Sequence, residues 1–384
     1  MKKFNFKNFN IKKLNGIFSS LICIAIGLII GLIILICMSP QDAFIEFGTL
    51  ICGGINYFGI EGLFDILAKA APLICCGLSV LFAYKTGLFN IGVAGQYVMG
   101  AFASLMFALQ FNANWFVCLL MAAIFGAIWA CIPGLLKAFC HVNEVISGIM
   151  CNWIGLFFMN YSFQTYLKST VDITQGSKTK LITGSSLLPD FGLRDVLGNN
   201  FSIAIIVAII MVVIIYIILN KTTLGYQLKA SGLNKDATRY AGMNDKRNLI
   251  ITMAIAGALA GLGAGLYYLA GIEQWSVQNS SSLPSMPWNG IVVAFIAQLN
   301  PIGVIFASLF TSLLFQGGMS MTQTIFPAEV GDLITGIIVY LSGLVAVIKI
   351  LLIKFENKEL HFNFFDKFKK KKIIETNKGD DTND

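Results

Sequence analysis

The side chains of this sequence that could do chemistry are amides, with one carboxylate, set within or at the ends of long apolar segments. An amide donates and accepts hydrogen bonds, so it suits the reversible binding of a neutral solute. Polar groups inside apolar segments are costly in lipid and are often functional there. The candidates for the lining of a solute pathway are Asn90, Gln96, Asn143, Glu144, Asn152, Asn160, Asn289 and Gln298.

Several of these residues also have a structural interpretation. Asn90 stands in a glycine-rich turn, TGLFNIGVAGQ, and is predicted to cap the helix that follows. For Gln96, the start of a helix and the lining of a pathway remain equally open. Asn143 suits an N-cap, and Glu144 suits a first helical turn, where the helix dipole favours an acid. We favour that structural interpretation for this pair, although Glu144 could also gate the pathway.

Asn152 and Asn160 are eight residues apart, so they share one helix face to within about 80°. That face is predicted to point into the protein. Interhelical hydrogen bonds would explain the two amides there as well as contacts with a solute would. Asn289 and Gln298 belong to a short apolar segment and are candidates by position.

The sequence lacks the residue patterns of common enzyme sites. It has no G-x-x-x-x-G-K-[ST] loop, and its nine cysteines and two histidines show no spacing typical of disulfide frameworks or metal sites. Gly257, Gly261 and Gly265 lie in an apolar helix and follow no strand, which argues against a dinucleotide loop. Their spacing of four predicts a smooth helix face for close packing. We therefore predict a protein that is not an enzyme and binds no metal or cofactor.

The composition indicates the solvent around these residues. Hydrophobic residues make up 56% of the 384 residues, charged residues make up 12%, and the mean hydropathy is +0.76. A soluble protein carries about 25% charged residues, so the apolar excess must face lipid. The predicted fold class is all-α, a polytopic membrane bundle of about ten transmembrane helices, with two short or broken helices near 288–316. The apolar segments are 17–38, 64–84, 91–109, 115–136, 145–166, 201–219, 249–271, 288–299, 301–316 and 329–350.

Lysine and arginine are concentrated on one side of this predicted bundle. If the N-terminus is cytoplasmic and the segments alternate, most of the 27 Lys and Arg residues fall in cytoplasmic parts, as the positive-inside rule requires. We predict a multi-pass cell-membrane protein with both termini in the cytoplasm. Its parts are a basic N-terminal arm at 1–16, a transmembrane domain at 17–351 with an external loop at 167–200 and a cytoplasmic loop at 220–248, and a charged, disordered tail at 352–384.

Several runs of residues resemble one family of transport proteins. The run from Ala71 to Gln96 resembles the signature of permeases of the branched-chain amino acid and ribose class of ABC importers. Two further parts, 143–154 and 222–243, are similar to the subgroup that imports nucleosides, of the guanosine type. The resemblance covers 65–350. It departs from the family at Gln298-Leu299-Asn300-Pro301, where a Gly-Gly-Asn type of turn is usual.

The resemblance implies a function and partners. The chain would be one of two homologous permease subunits, forming a heterodimer that passes nucleosides by alternating access. ATP would be used by a separate ABC ATPase subunit, an extracellular lipoprotein would deliver the nucleoside, and nucleic acid would play no part. The loop 220–248, which carries two short helical patches, would couple to the ATPase. Its coupling residues would be Leu224, Gly225, Gly232, Asn234, Ala237, Tyr240 and Gly242.

Two alternatives stay open at this point. An importer of the same class that carries ribose or branched-chain amino acids would differ only in the nucleoside-like motifs. An ion-coupled secondary transporter would need ionisable residues at mid-membrane depth. The acids nearest to the spans, Glu144, Glu329 and Asp332, all lie close to segment ends.

Overall fold

A computed structural model describes residues 11–53, 55–172, 177–190, 192, 202–277, 282–321, 328–342, 344 and 347. The tail 352–384 and most of the N-terminal arm lie outside the described residues, as does part of the external loop. The α-helices are α1 Ile11–Met38, α2 Ala43–Cys52, α3 Ile55–Lys85, α4 Val93–Leu109, α5 Trp115–Cys140, α6 Glu144–Thr165, α7 Ala204–Lys221, α8 Thr223–Leu233, α9 Lys235–Tyr240, α10 Asp245–Leu269, α11 Ser285–Ile296, α12 Pro301–Met321 and α13 Ala328–Ser342. Two short strands, β1 Val171–Asp172 and β2 Lys178–Thr179, pair antiparallel.

The helices confirm the prediction of an all-α, polytopic membrane bundle. Seven segments in the described part of the chain are long and apolar enough to cross a membrane. They are Ser19–Met38, Glu61–Lys85, Trp115–Cys140, Glu144–Thr165, Ala204–Lys221, Asp245–Leu269 and Pro301–Met321. The helices α2, α4 and α11 are apolar but shorter.

Two elements differ from the predicted segments. The segment 301–316, predicted to be short, continues as α12 to Met321 and is long enough to span a bilayer. Gln316, Gly317 and Gly318 lower the hydropathy there but do not end the helix. The helix α2 was not predicted, because its ten residues are too few to register as a span.

The helix α10 lies at the centre of the bundle, in contact with α3, α4 and α5. Three of its glycines, Gly257, Gly261 and Gly265, lie at the contact with α5. A Cβ atom at Gly261 would overlap the carbonyl oxygen of Ala122, and one at Gly265 would come within 2.9 Å of Leu119 Cδ2. Small residues therefore let these two backbones approach closely.

A second group of helices packs beside this centre. The helices α1, α2, α12 and α13 share a buried apolar cluster that includes Leu35, Leu50, Leu314 and Ile334. The helix α12 also packs against α3, so it joins the two groups.

The connections between helices define two ends of the bundle. We call one the loop end; it carries the turn 86–92, the turn 141–143 and the helices α8 and α9. We call the other the sheet end; it carries 110–114, the strands β1 and β2, and 270–277. The helix α11 runs toward the loop end, because Phe295 stacks edge-on against Tyr84 near the end of α3, with ring centroids 5.6 Å apart.

Candidate functional site

Two of the predicted pathway residues form a buried amide pair at the loop end. Asn90 Nδ2 donates to Gln96 Oε1, and Gln96 Nε2 donates to Asn90 Oδ1, each at 2.8 Å. Asn90 also donates to Ser79 Oγ at 3.2 Å. Both amides are 1% exposed. The prediction that Asn90 caps α4 is wrong, because its side chain is engaged by the complementary amide of Gln96.

The side chain that does serve the start of α4 comes from another helix. Asn152 on α6 accepts a hydrogen bond from the backbone N–H of Gly95 at 2.7 Å, and donates to the carbonyl of Ile91 at 3.0 Å. Gly95 is in the first turn of α4, whose N–H groups have no partner within the helix. The helix start is therefore capped across the bundle by a residue 57 positions away.

Asn160 is buried at the opposite end of α6. Its Oδ1 accepts from the indole N–H of Trp275 at 2.9 Å. The backbone of Trp275 is held in turn by Thr179 of β2, through a 2.9 Å and a 3.1 Å hydrogen bond. Asn160 therefore fastens the segment 270–277 to the bundle. Asn90, Gln96, Asn152 and Asn160 join helices and loops in this structure and do not face an open pathway.

Asn143 and Glu144 stand at the loop end, at the start of α6. Asn143 Oδ1 accepts from the N–H of Val145 at 2.8 Å, which confirms that Asn143 is an N-cap. Glu144 forms an ion pair with Lys137, near the end of α5. The pair links the two helices across the short turn 141–143.

The turn between α11 and α12 contains the predicted candidate Gln298. Gln298 Nε2 donates to Ser20 Oγ of α1 at 2.9 Å, and that hydroxyl donates to the carbonyl of Ile296 at 3.0 Å. Gln298 and Leu299 have φ values of 51° and 58°, in the left-handed region that favours glycine. This is the place where the sequence departs from the resembling family. Asn289 is partly buried on α11.

Some of the predicted coupling residues contact the rest of the bundle, and others lie on its outer surface. Gly225 and Gly232 lie against backbone: a Cβ at Gly225 would overlap the carbonyl of Ile218, and one at Gly232 would lie within 2.7 Å of Gly87 N. Leu224 packs against the core. The residues on the outer surface are Ala237, Tyr240 and Gly242.

The helices α8 and α9 are fixed to the bundle but expose large apolar side chains. Asn234 caps α9 by accepting from the N–H groups of Asp236 and Ala237 at 3.0 Å. Leu233 is 88% exposed and Tyr240 is 96% exposed. Leu233 was not among the predicted coupling residues, although it is the apolar residue directly before the cap.

One ion pair fixes α9 to the first turn of α10. Arg239 donates to Asp245 Oδ2 at 2.7 Å, and this hydrogen bond raises the pKa of Arg239 above its ordinary value. Arginine is charged at all physiological pH values, so the pair does not act as a pH switch.

A polar group at the sheet end was missed by the sequence analysis. Lys69 Nζ of α3 donates to Gln316 Oε1 of α12 at 2.7 Å and lies 3.2 Å from Met319 Sδ. Close by, the hydroxyl of Tyr267 donates to Glu273 Oε2 at 2.7 Å. We call Lys69, Gln316, Tyr267 and Glu273 the mouth cluster. The available signal was a lysine inside an apolar run, which is rare without a function.

A bundle of long apolar helices joined by buried amides is the architecture of a polytopic membrane protein. The chain belongs to the family described as branched-chain amino acid transport system / permease component, which matches residues 62–343. Members of this family are transport subunits.

Three relatives are similar to this chain. The nucleoside ABC transporter permease protein NupB of Lactococcus lactis subsp. cremoris is 35% identical over 87% of this chain and 92% of its own length. The guanosine ABC transporter permease protein NupP of Bacillus subtilis is 32% identical over 91% and 99%. The nucleoside ABC transporter permease protein NupC, also of L. lactis, is 24% identical over 66% and 82%.

Proposed function

We propose that this chain is a permease subunit of an ATP-driven ABC importer and forms a translocation pathway for nucleosides. The observation that carries this proposal is the similarity over nearly the whole chain to two permeases named for nucleosides and guanosine. The sparse charge of the spans agrees with it, because a charged solute would require opposite charges at depth.

The pathway works by alternating access in this proposal. The bundle exchanges an outward-open for an inward-open arrangement, and no bond of the solute is made or broken. The interhelical amides suit such a role, since they hold helices in register and leave the solute to other residues.

The proposed topology has ten crossings, with both termini in the cytoplasm of a cell-membrane protein. The ten are the seven long spans together with α4, α11 and α13, whereas α2 returns to the side from which it came. Basic residues at the loop end support this orientation. They are Lys85, Lys137, Lys221, Lys229, Lys246 and Arg247.

The ATPase is a separate subunit that docks on α8 and α9 in this proposal. Leu233 and Tyr240 expose apolar surface that a soluble protein surface would rarely leave uncovered. Tyr226, at 65% exposure, extends the same surface along α8. ATP is used by that partner, and this chain binds none.

Two further partners belong to the proposal. NupB and NupC are two permeases of one organism, and this supports a heterodimer of homologous permease subunits. An extracellular substrate-binding lipoprotein would dock at the sheet end. The residues Lys168, Lys178 and Lys180 are exposed there, and the backbone N–H of Lys180 bonds to Thr170 at 2.8 Å, which brings the three lysines into one patch.

The proposal is tested by uptake in a strain that lacks its own nucleoside importers. Cells expressing this chain with its ATPase, second permease and binding protein are given radiolabelled guanosine, ribose or leucine. We expect guanosine uptake, competed by unlabelled adenosine and inosine and unaffected by excess ribose or leucine. Uptake of ribose or leucine in place of guanosine would contradict the nucleoside assignment while leaving the importer class intact.

A further inference from the structure

We propose that the mouth cluster is the site where this permease itself binds the solute, a neutral molecule with a carbonyl or hydroxyl acceptor beside an N–H or O–H donor. This inference rests on the proposed function and adds the residues that contact the solute. The cluster lies apart from the amide pairs described above, and none of its four residues belongs to them.

The first observation is the position of Lys69 within the membrane-spanning part of α3. It stands eight residues, or about 12 Å, inside the span Glu61–Lys85. A charged side chain at such a depth is expensive unless it faces a polar path. Lys69 Nζ donates to the Gln316 amide and to the thioether of Met319, a weak acceptor, and two carboxylates, Asp65 and Glu273, act on its charge.

The second observation is that a carboxylate and a phenol lie beside the lysine. Gly263 of α10 packs against Pro72 of α3, with a Cβ position 3.0 Å from the Pro72 carbonyl oxygen. Because α10 and α3 run antiparallel, Tyr267, one turn further along α10, reaches the level of Lys69. Its hydroxyl bonds to Glu273, and Lys69 interacts electrostatically first with Asp65, one turn earlier on α3, and then with Glu273.

The third observation is the start of the half-length helix α11 at the same depth. Gly290 of α11 lies against Cys76, and the two helices run in the same direction. The helix begins five residues before Gly290, at Ser285, beside the turn of α3 that follows Lys69. Broken helices that begin inside the bilayer place polar backbone at solute sites in transporters.

Part of the cluster is open, although Gln316 is buried at 5% exposure. Met319, which lies against Lys69, is 59% exposed, and Glu273 is an exposed residue. Tyr267 is partly buried. A solute can therefore reach Glu273 and the partly exposed Lys69 without separation of the helices.

The chemistry of the cluster selects the kind of solute. The ammonium of Lys69, which the buried Gln316 orients, donates to a carbonyl or hydroxyl oxygen of the solute, and the carboxylate of Glu273 accepts from N–H or O–H groups. A purine nucleoside with a carbonyl next to ring N–H presents both kinds of group, and its base can stack on an aromatic ring such as Tyr267. With Asp65, which also acts on Lys69, the group carries two carboxylates and one ammonium, and this charge disfavours an anionic solute.

The test compares variants of the assembled importer in whole cells. Lys69→Met and Gln316→Leu are each expected to lower the initial rate of radiolabelled guanosine uptake about tenfold, the effect of losing a hydrogen bond to a charged group. Lys69→Arg should recover part of the uptake. Ser308→Ala, on the same helix α12, is the matched control and should keep the wild-type rate. Membrane levels of all four variants should match wild type, so that a lower rate reports lost solute binding.

A second readout separates solute contact from a structural role. In Glu273→Gln, the order in which inosine and cytidine compete with guanosine uptake should change, because a carboxylate that accepts from ring N–H groups discriminates between the bases. A residue with only a structural role would lower all uptake equally. Uptake within twofold of wild type in both Lys69→Met and Gln316→Leu would overturn the inference and leave nucleoside transport standing. A wild type that transports ribose or leucine in place of guanosine overturns both the nucleoside proposal and this inference. A wild type that transports none of the three overturns both.

Discussion

Gly232, near the end of α8, lies directly against Gly87 in the turn between α3 and α4, so that a Cβ atom on either residue would overlap the backbone of the other. Gly87 also has a φ of 79°, which favours glycine. The contact joins the exposed helical loop to two membrane helices. A displacement of α8 by a docked partner would therefore press directly on α3 and α4.

The first prediction concerns this glycine contact. Gly232→Val should lower the stability of the purified permease by about 1–3 kcal/mol, because the added methyl groups have no space against the backbone of Thr86 and Gly87. The measurement is thermal unfolding in detergent. Ala237→Val, on the exposed face of α9, is the control and should unfold at the wild-type temperature. Equal stability of the two variants would contradict the contact.

The second prediction concerns the outward residues of the same loop. Leu233→Ser and Tyr240→Ser should each weaken ATPase binding by about 2 kcal/mol and leave the permease folded, since both side chains are almost fully exposed. Co-purification of the ATPase and substrate-stimulated ATP hydrolysis measure this. Tyr166→Ser, exposed at the sheet end, serves as the control. Full ATPase binding by both loop variants would place the docking surface elsewhere.

The third prediction concerns the cap that α6 supplies to α4. Asn152→Ala removes the partner of the Gly95 N–H and of the Ile91 carbonyl, and should cost about 1–3 kcal/mol. Gln164→Ala, at an exposed position of α6, should cost much less. Thermal unfolding compares the two variants. Solute preference should be the same in both, and a changed preference in Asn152→Ala would show that this amide contacts the solute.

The fourth prediction concerns the three lysines at the sheet end. Replacing Lys168, Lys178 and Lys180 together by glutamate should abolish stimulation of ATP hydrolysis by the binding protein. The basic patch predicts an acidic docking surface on that protein, and the glutamates would repel it. Replacing all three by arginine keeps the charge and should preserve stimulation. Raising the salt concentration should weaken the wild-type response. Normal stimulation of the glutamate variant would exclude this patch as the docking surface.

Much of the architecture could be predicted because lipid imposes a simple rule on sequence. Apolar runs of span length mark most of the long helices, and Asn143, Asn234 and the Asn300-Pro301 break mark helix ends through local capping. The helix α2 was not predicted by that rule because it is too short to span a membrane. The full length of α12 was not predicted because Gln316, Gly317 and Gly318 lower the hydropathy without breaking the hydrogen bonds of the helix.

The roles of polar residues were harder to predict, because they depend on contacts between distant parts of the chain. Asn90 looked like the cap of α4 by proximity, yet Asn152 performs that function from another helix. The lysine and glutamine of the mouth cluster are 247 positions apart, and no local pattern indicates that they meet. Gly232 and Ala237 are both small residues of the same loop. Only the fold shows that Gly232 contacts Gly87, whereas Ala237 lies on the outer surface.

The central claim is that ATP used by a partner drives a nucleoside through this chain. The most direct measurement is the accumulation of radiolabelled guanosine by proteoliposomes that contain the assembled importer, with the binding protein and the ATP on opposite sides of the bilayer. We predict accumulation that requires hydrolysable ATP on the side of α8 and α9 and persists when ionophores dissipate proton and sodium gradients. Accumulation driven by either gradient without ATP would contradict the account.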